Sequence, residues 1–208
     1  LGEKIYFQSF TGWYSYDGKA VSYMDRKSGF RPLYFYTCHD KVYAQMINEG
    51  FYEFDGQRFH LLLERTAVGN DNVVAILPYG NSGMVLLTVD SGLFVYEHGT
   101  VSALRTDIDA QLRWAKGNRA VMVGDSILAI GTILDGIYGV DKKGHLLWHL
   151  NRDNQLNNNS VMGLFGDREN NLWAALDDGI SFVHTNTSIT LLTPSVRDLS
   201  IGMVYGVE

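Results

Sequence analysis

Apolar and polar positions alternate along this chain in short bursts, without the three-and-four spacing of amphipathic helices. An apolar run, a tight turn ending in glycine and a second run rich in aromatics form one pattern, and it recurs five times. The copies are IYFQSFTGWYSYDG (5–18), VYAQMINEGFYEFDG (42–56), MVLLTVDSGLFVYEHG (84–99), ILAIGTILDGIYGVDKKG (127–144) and LWAALDDGISFVH (172–184). Their turn glycines, Gly12, Gly50, Gly92, Gly136 and Gly179, are spaced by 38, 42, 44 and 43 residues. Asn-Glu-Gly, Asp-Ser-Gly, Leu-Asp-Gly and Asp-Asp-Gly place glycine where a short hairpin turn needs positive φ. Tyr14 and Tyr16, Tyr52 and Phe54, and Phe94 and Tyr96 stand two apart, on one face of a strand.

Further strand-like runs flank the hairpins. RPLYFYT (31–37), VVAILPY (73–79), AVMVG (120–124) and VMGLFG (161–166) precede them; FHLLLE (59–64), VSALRT (101–106), HLLWHL (145–150) and SITLLT (188–193) follow. Four strands of five or six residues with their turns fill roughly 40 residues, the observed period. A four-stranded unit at that period is a propeller blade. The expected fold is therefore all-β: a β-propeller fragment of about five four-stranded blades. The blades are expected at 1–25, 30–65, 73–106, 119–150 and 160–193, with 198–208 as the innermost strand of the next. A sheet stopping there would leave an unpaired edge, which favours a piece of a larger propeller over a closed five-bladed one. One short helix is expected over 107–116, capped by Asp107, with Ile108 and Leu112 on one face.

Composition narrows the class. With 22 Gly, 3 Pro and 12% aromatic residues, the 208-residue chain is neither collagen-like nor disordered. A net charge of −6 argues against a nucleic-acid surface. No apolar run approaches the roughly 18 residues of a membrane span. The single cysteine, Cys38, excludes an intrachain disulfide and a zinc ribbon.

Catalytic patterns are thin. His145 and His149 stand four apart, which suits a metal pair on a helix; on a strand they lie about 13 Å apart. Asp177-Asp178 reads as a turn signal before Gly179, not as an acid–base pair. DRENNLW (167–173) is similar to the aspartate box of sialidases but lacks its Ser before the Asp and its Thr before the Trp. No catalytic residue, metal site or cofactor is assigned. Trp13, Tyr52, Phe94, Trp148 and Trp173 are expected to pack between blades.

Residues 155–184, QLNNNSVMGLFGDRENNLWAALDDGISFVH, are more specific. Leu156, Asn159, Val161, Asp167, Asn171, Leu172, Trp173 and Gly179 resemble the regulator-propeller repeat of bacterial two-component sensors and of related triple-tyrosine-motif regulators. Asn170 stands where that repeat has glycine, and Ala175-Leu176 where it has Gly-Thr; asparagine also tolerates the left-handed conformation, so the turn is expected to survive. The resemblance implies the extracytoplasmic sensor of a membrane-spanning regulator, in the periplasm. Its output would be a histidine kinase or a helix-turn-helix factor, and its signal in many members a carbohydrate. Expected partners are an oligosaccharide or other small ligand, the remaining blades and downstream domains, and a second copy in a homodimer, with no nucleic acid or membrane contact through these residues. Alternatives are an interaction scaffold and a carbohydrate-active lyase or glycosidase.

Ligands in propellers gather where loops meet over the central channel. The loops 65–72, 107–118 and 151–159 supply Asp71, Trp114, Arg152, Asn157, Asn158 and Asn159. Amides, carboxylates and an aromatic face are what sugar hydroxyls and rings are held by. These six are the candidate ligand-binding residues.

Overall fold

The computed structural model describes residues 4–9, 12–24, 32–56 and 58–185. They form five antiparallel sheets, each a meander in chain order. The first holds β1 (Ile5–Ser9), β2 (Gly12–Tyr16) and β3 (Val21–Met24). The second holds β4 (Pro32–Cys38), β5 (Lys41–Met46), β6 (Gly50–Phe54) and β7 (Phe59–Glu64). The third holds β8 (Val73–Tyr79), β9 (Gly83–Thr88), β10 (Leu93–Glu97) and β11 (Thr100–Leu104). After helix α1 (Asp109–Ala115), the fourth holds β12 (Gly117–Val123), β13 (Ile127–Thr132), β14 (Ile137–Asp141) and β15 (Leu146–Leu150). The fifth holds β16 (Val161–Gly166), β17 (Leu172–Leu176) and β18 (Ile180–Val183). The runs expected at 188–193 and 198–208 lie outside the described residues.

The first strands of successive blades touch one another, β4 to β8, β8 to β12 and β12 to β16, so they line a common centre. This is the radial order of a β-propeller. Each of these four strands carries a register shift at the same point: between Pro32 and Tyr34, Val73 and Ala75, Gly117 and Arg119, and Val161 and Gly163. A bulge there bends the strand and re-aims the side chains beside it.

The apolar core lies between blades. Phe51, Met84 and Leu86 join the second and third sheets, and Leu87, Ile130 and Tyr138 the third and fourth. Val161, Leu172 and Ala174 pack the fifth sheet on the fourth. Ile108, Leu112 and Ala115 bury the inner face of α1. The cap of α1 differs from expectation. Asp109 Oδ1 accepts from the Thr106 N–H (2.9 Å) and hydroxyl (2.7 Å), whereas Asp107 accepts from Leu146 N (3.0 Å) in the fourth sheet. The N-cap position falls on Ile108, which makes no side-chain capping bond.

Asn170 takes φ 63°, so asparagine does hold the glycine position of its turn. At Gly136 the demand is stricter: φ is +71° and a Cβ would stand 2.9 Å from the Asn151 Cα.

One polar side chain is buried in the seam between the second and third sheets. Gln45 Oε1 accepts from Val73 N (3.0 Å) while its Nε2 donates to Met46 O (2.9 Å). Gln45→Met keeps the volume but strands the Val73 N–H. The expected cost is about 1–3 kcal/mol, read as a lower urea midpoint at unchanged m-value.

Candidate functional site

Successive turns of a meander fall on alternate rims. Crossovers between blades therefore share a rim with the turns between second and third strands, and hydrogen bonds join the two sets. Asn72 O accepts from Val89 N (3.3 Å), Val89 O from Gly117 N (2.9 Å), Ala115 O from Ile133 N (3.1 Å), and Asn159 O from Gly136 N (2.9 Å). All six candidate ligand-binding residues stand on these crossovers.

Asp71 is already engaged. Its Oδ2 accepts from Asp90 N (2.6 Å) and Ser91 N (2.8 Å), and its Oδ1 from Asn72 N (2.7 Å). It staples a crossover to the β9–β10 turn, where Asp90 also meets Lys116 Nζ at 2.6 Å. Asn159 Oδ1 accepts from Arg152 N (2.7 Å), and Asn158 Oδ1 from Ser160 N (2.8 Å), so both amides shape their own loop. Trp114, Arg152 and Asn157 are exposed. Arg152 and the three asparagines share one crossover; Asp71 and Trp114 sit on two others. No hydrogen bond or ion pair joins these three groups among the described residues.

The two histidines meet different aspartates. His145 Nδ1 lies 2.9 Å from Asp141 Oδ2. His149 Nε2 lies 2.8 Å from the backbone oxygen of Asp135, which makes that nitrogen the donor, and 3.4 Å from Asp135 Oδ2. Tyr138 donates its hydroxyl to the Asp135 carboxylate and stacks flat on the His149 ring at 4.1 Å. Burial, and then Asp135, push the Tyr138 hydroxyl well above the ordinary phenol range. Spacing gave no sign of this Asp135–Tyr138–His149 set, whose members come from a turn and two strands.

The centre holds a second group that the sequence did not mark. Arg119 on β12 places its guanidinium carbon 5.6 Å from the ring centroid of Tyr34 on β4. These strands belong to blades separated by β8, so the two side chains meet across the channel. Arg119 Nη1 donates to Asn118 O (2.7 Å) and Asn118 Oδ1 (3.0 Å), and Asn118 Nδ2 donates onward to Val161 O (2.7 Å). Tyr36 donates to Val73 O at 2.8 Å, and burial raises its pKa well above the ordinary value.

On the opposite rim, aspartates close the turns. Asp17 accepts from Lys19 N and Ala20 N, Asp141 from Lys143 N and His145 N, and Asp167 from Glu169 N and Asn171 N. Asp167 also accepts from Asn171 Nδ2 and Trp173 Nε1, both at 3.2 Å. Backbone donors, foremost Ala20, His145 and Asn171 respectively, hold the three carboxyls below their ordinary value. A depressed folded pKa adds stability above the unfolded value near 4 that is lost as pH falls through the folded value. The melting temperature is therefore expected to fall below about pH 4. Asp167→Ala should flatten that fall, measured by calorimetry between about pH 5 and 2.

Among the described residues no group of three His, Cys, Asp or Glu side chains is placed to hold a metal ion, and no helix is long and apolar enough to cross a membrane. The architecture defines a β-propeller whose blades are repeats of one unit. No family model matches the sequence, and no curated protein matches it. Among solved structures, the chain is similar to the extracellular domain of BT4673 from B. thetaiotaomicron, a protein assigned to one component or hybrid two component systems. One structure of it gives a TM-score of 0.70 at 20% identity, covering 89% of this chain and 26% of that one. A second gives 0.67 at 20% identity, covering 91% and 27%. The computationally designed Ika4 protein gives 0.51 at 16% identity, covering 72% of this chain and 88% of its own. The chain thus spans about a quarter of the length of the BT4673 domains.

Proposed function

We propose that this propeller is part of the extracytoplasmic sensor of a bacterial membrane-spanning regulator, and that it binds a ligand or relays a contact without turning over a substrate. The likeness in fold to the BT4673 extracellular domain, along 89% of the chain, carries this reading. The Asp-x-x-Asn-Asn-Leu-Trp turn at 167–173 adds to it. The ligand class is an oligosaccharide, held where crossovers meet over the channel by exposed groups such as Trp114, Arg152 and Asn157. Asp71, Asn158 and Asn159 serve that site by fixing the loops that present it. Relay requires that ligand favour one of two arrangements of the regulator.

A thermal-shift screen against oligosaccharides, with the mixtures chromatographed afterwards, tests this. A raised melting temperature with sugar intact is the expected result. New sugar products would establish an enzyme, and neither effect would leave an interaction scaffold.

A further inference from the structure

We propose that Arg119, Tyr34 and Asn118 form an anion seat in the channel that takes the carboxylate of an acidic ligand, such as a uronic acid. The inference rests on the sensor reading and assigns it a ligand chemistry and a place.

Position comes first. Arg119 follows the bulge residue Asn118 on an innermost strand, and its guanidinium reaches Tyr34 two blades away. Only the channel brings those strands within reach of each other. The equivalent residues beside the bulge on β8 and β16 are Ala75 and Gly163, so the arginine crosses without a bulky neighbour at its own level.

Charge comes next. The chain carries a net charge of −6, yet this arginine has no carboxylate within ion-pairing distance among the described residues. Its partners are neutral: an amide, a backbone oxygen and a phenol ring. A half-buried guanidinium with only neutral partners has incomplete compensation for its lost water. An incoming anion supplies it.

The free donors then set the ligand class. Nη1 is spent on Asn118, leaving Nε and Nη2 without a partner among the described residues. That pair is the edge that matches the two oxygens of a planar carboxylate. The Tyr34 hydroxyl likewise has no hydrogen-bond partner among the described residues. A doubly charged phosphate would call for a second cation, and the ion-paired Lys116 is committed to Asp90 on the rim. The seat is preorganised: Val161 O fixes Asn118, and Asn118 fixes the guanidinium. Preorganisation lowers the ordering cost of binding.

The probe is sodium glucuronate, with glucose and sodium sulfate as controls at matched ionic strength. Binding is followed by melting temperature and by the Arg119 Nε–H resonance in NMR. Glucuronate is expected to raise the melting temperature and move that resonance, with glucose and sulfate much weaker. Arg119→Gln should weaken glucuronate by about tenfold or more, while Arg119→Lys keeps part of the effect. Arg168→Gln, which removes an exposed charge on the opposite rim, should leave it unchanged. The proposal is overturned if glucuronate fails to bind the unaltered chain, or binds Arg119→Gln equally well. The sensor reading is tested apart from it: a neutral oligosaccharide that stabilises Arg119→Gln as much as the unaltered chain, while glucuronate stabilises neither, keeps the sensor and removes the anion seat.

Discussion

Replacing Trp13 by alanine is expected to detach the first sheet from the rest of the propeller. The indole is 2% exposed and stacks on Phe35 at 4.2 Å and on Tyr6 at 4.8 Å, with Phe54 and Phe59 edge-on at 5.4 and 5.7 Å. Among the described residues its cluster draws on the first and second sheets. Removing such a side chain costs about 3–5 kcal/mol, a large share of the 5–15 kcal/mol that a domain typically has. In repeat architectures each unit leans only on its neighbours. Hydrogen exchange should therefore show amides of β1–β3 losing protection while those of β8–β15, held by separate clusters, keep theirs. Trp13→Phe retains stacking on Phe35 and should recover more than half of the loss in chemical denaturation. Uniform loss of protection across all sheets would show that the blades unfold as one unit.

Trp13 was legible because its surroundings repeat. Glycine turns at a near-constant period mark hairpins, and aromatic pairs two apart mark their buried faces, so strand pairing and the radial order follow from local chemistry. Asn170 was legible for the same reason: its φ of 63° is a local property of a turn. Arg119 was not. Its meeting with Tyr34 depends on how many blades separate two strands and on a bulge that re-aims one residue, neither of which alternation records. Gln45 hides in the same way, as a polar residue on an otherwise buried strand whose partner, Val73 N, lies in the next blade. For the crossover residues the sequence marked the rim but could not tell a carboxylate that offers itself to a ligand from one, like Asp71, that is consumed by Asp90 and Ser91. Trp173 exposes a further limit. The pattern places it on a sheet face, but 43% of it is open to solvent.

That open face predicts the chain's behaviour in solution. On the fifth sheet Phe165, Trp173 and Phe182 form one cross-strand row, and Ile180 pairs beside them with Ala175. Phe165 is 65% and Ile180 69% exposed. The first sheet likewise exposes Ile5, Phe7, Val21 and Tyr23. Adjacent apolar side chains of this size on both terminal sheets exceed what a soluble monomer normally leaves in water. Burying them recovers roughly 25 cal/mol per Å². The two faces differ, so a fifth sheet of one copy meeting a first sheet of another makes a head-to-tail contact that need not close. The 208-residue chain is therefore expected to associate with rising concentration, seen as a growing fast-sedimenting fraction in velocity ultracentrifugation. Phe165→Lys combined with Ile180→Lys should return it to a single slow species. Both side chains are already largely in water, so the change should move the melting temperature little. Association therefore reads the face and not the fold, and a pair of lysines that left the fast fraction untouched would mean that another surface drives it.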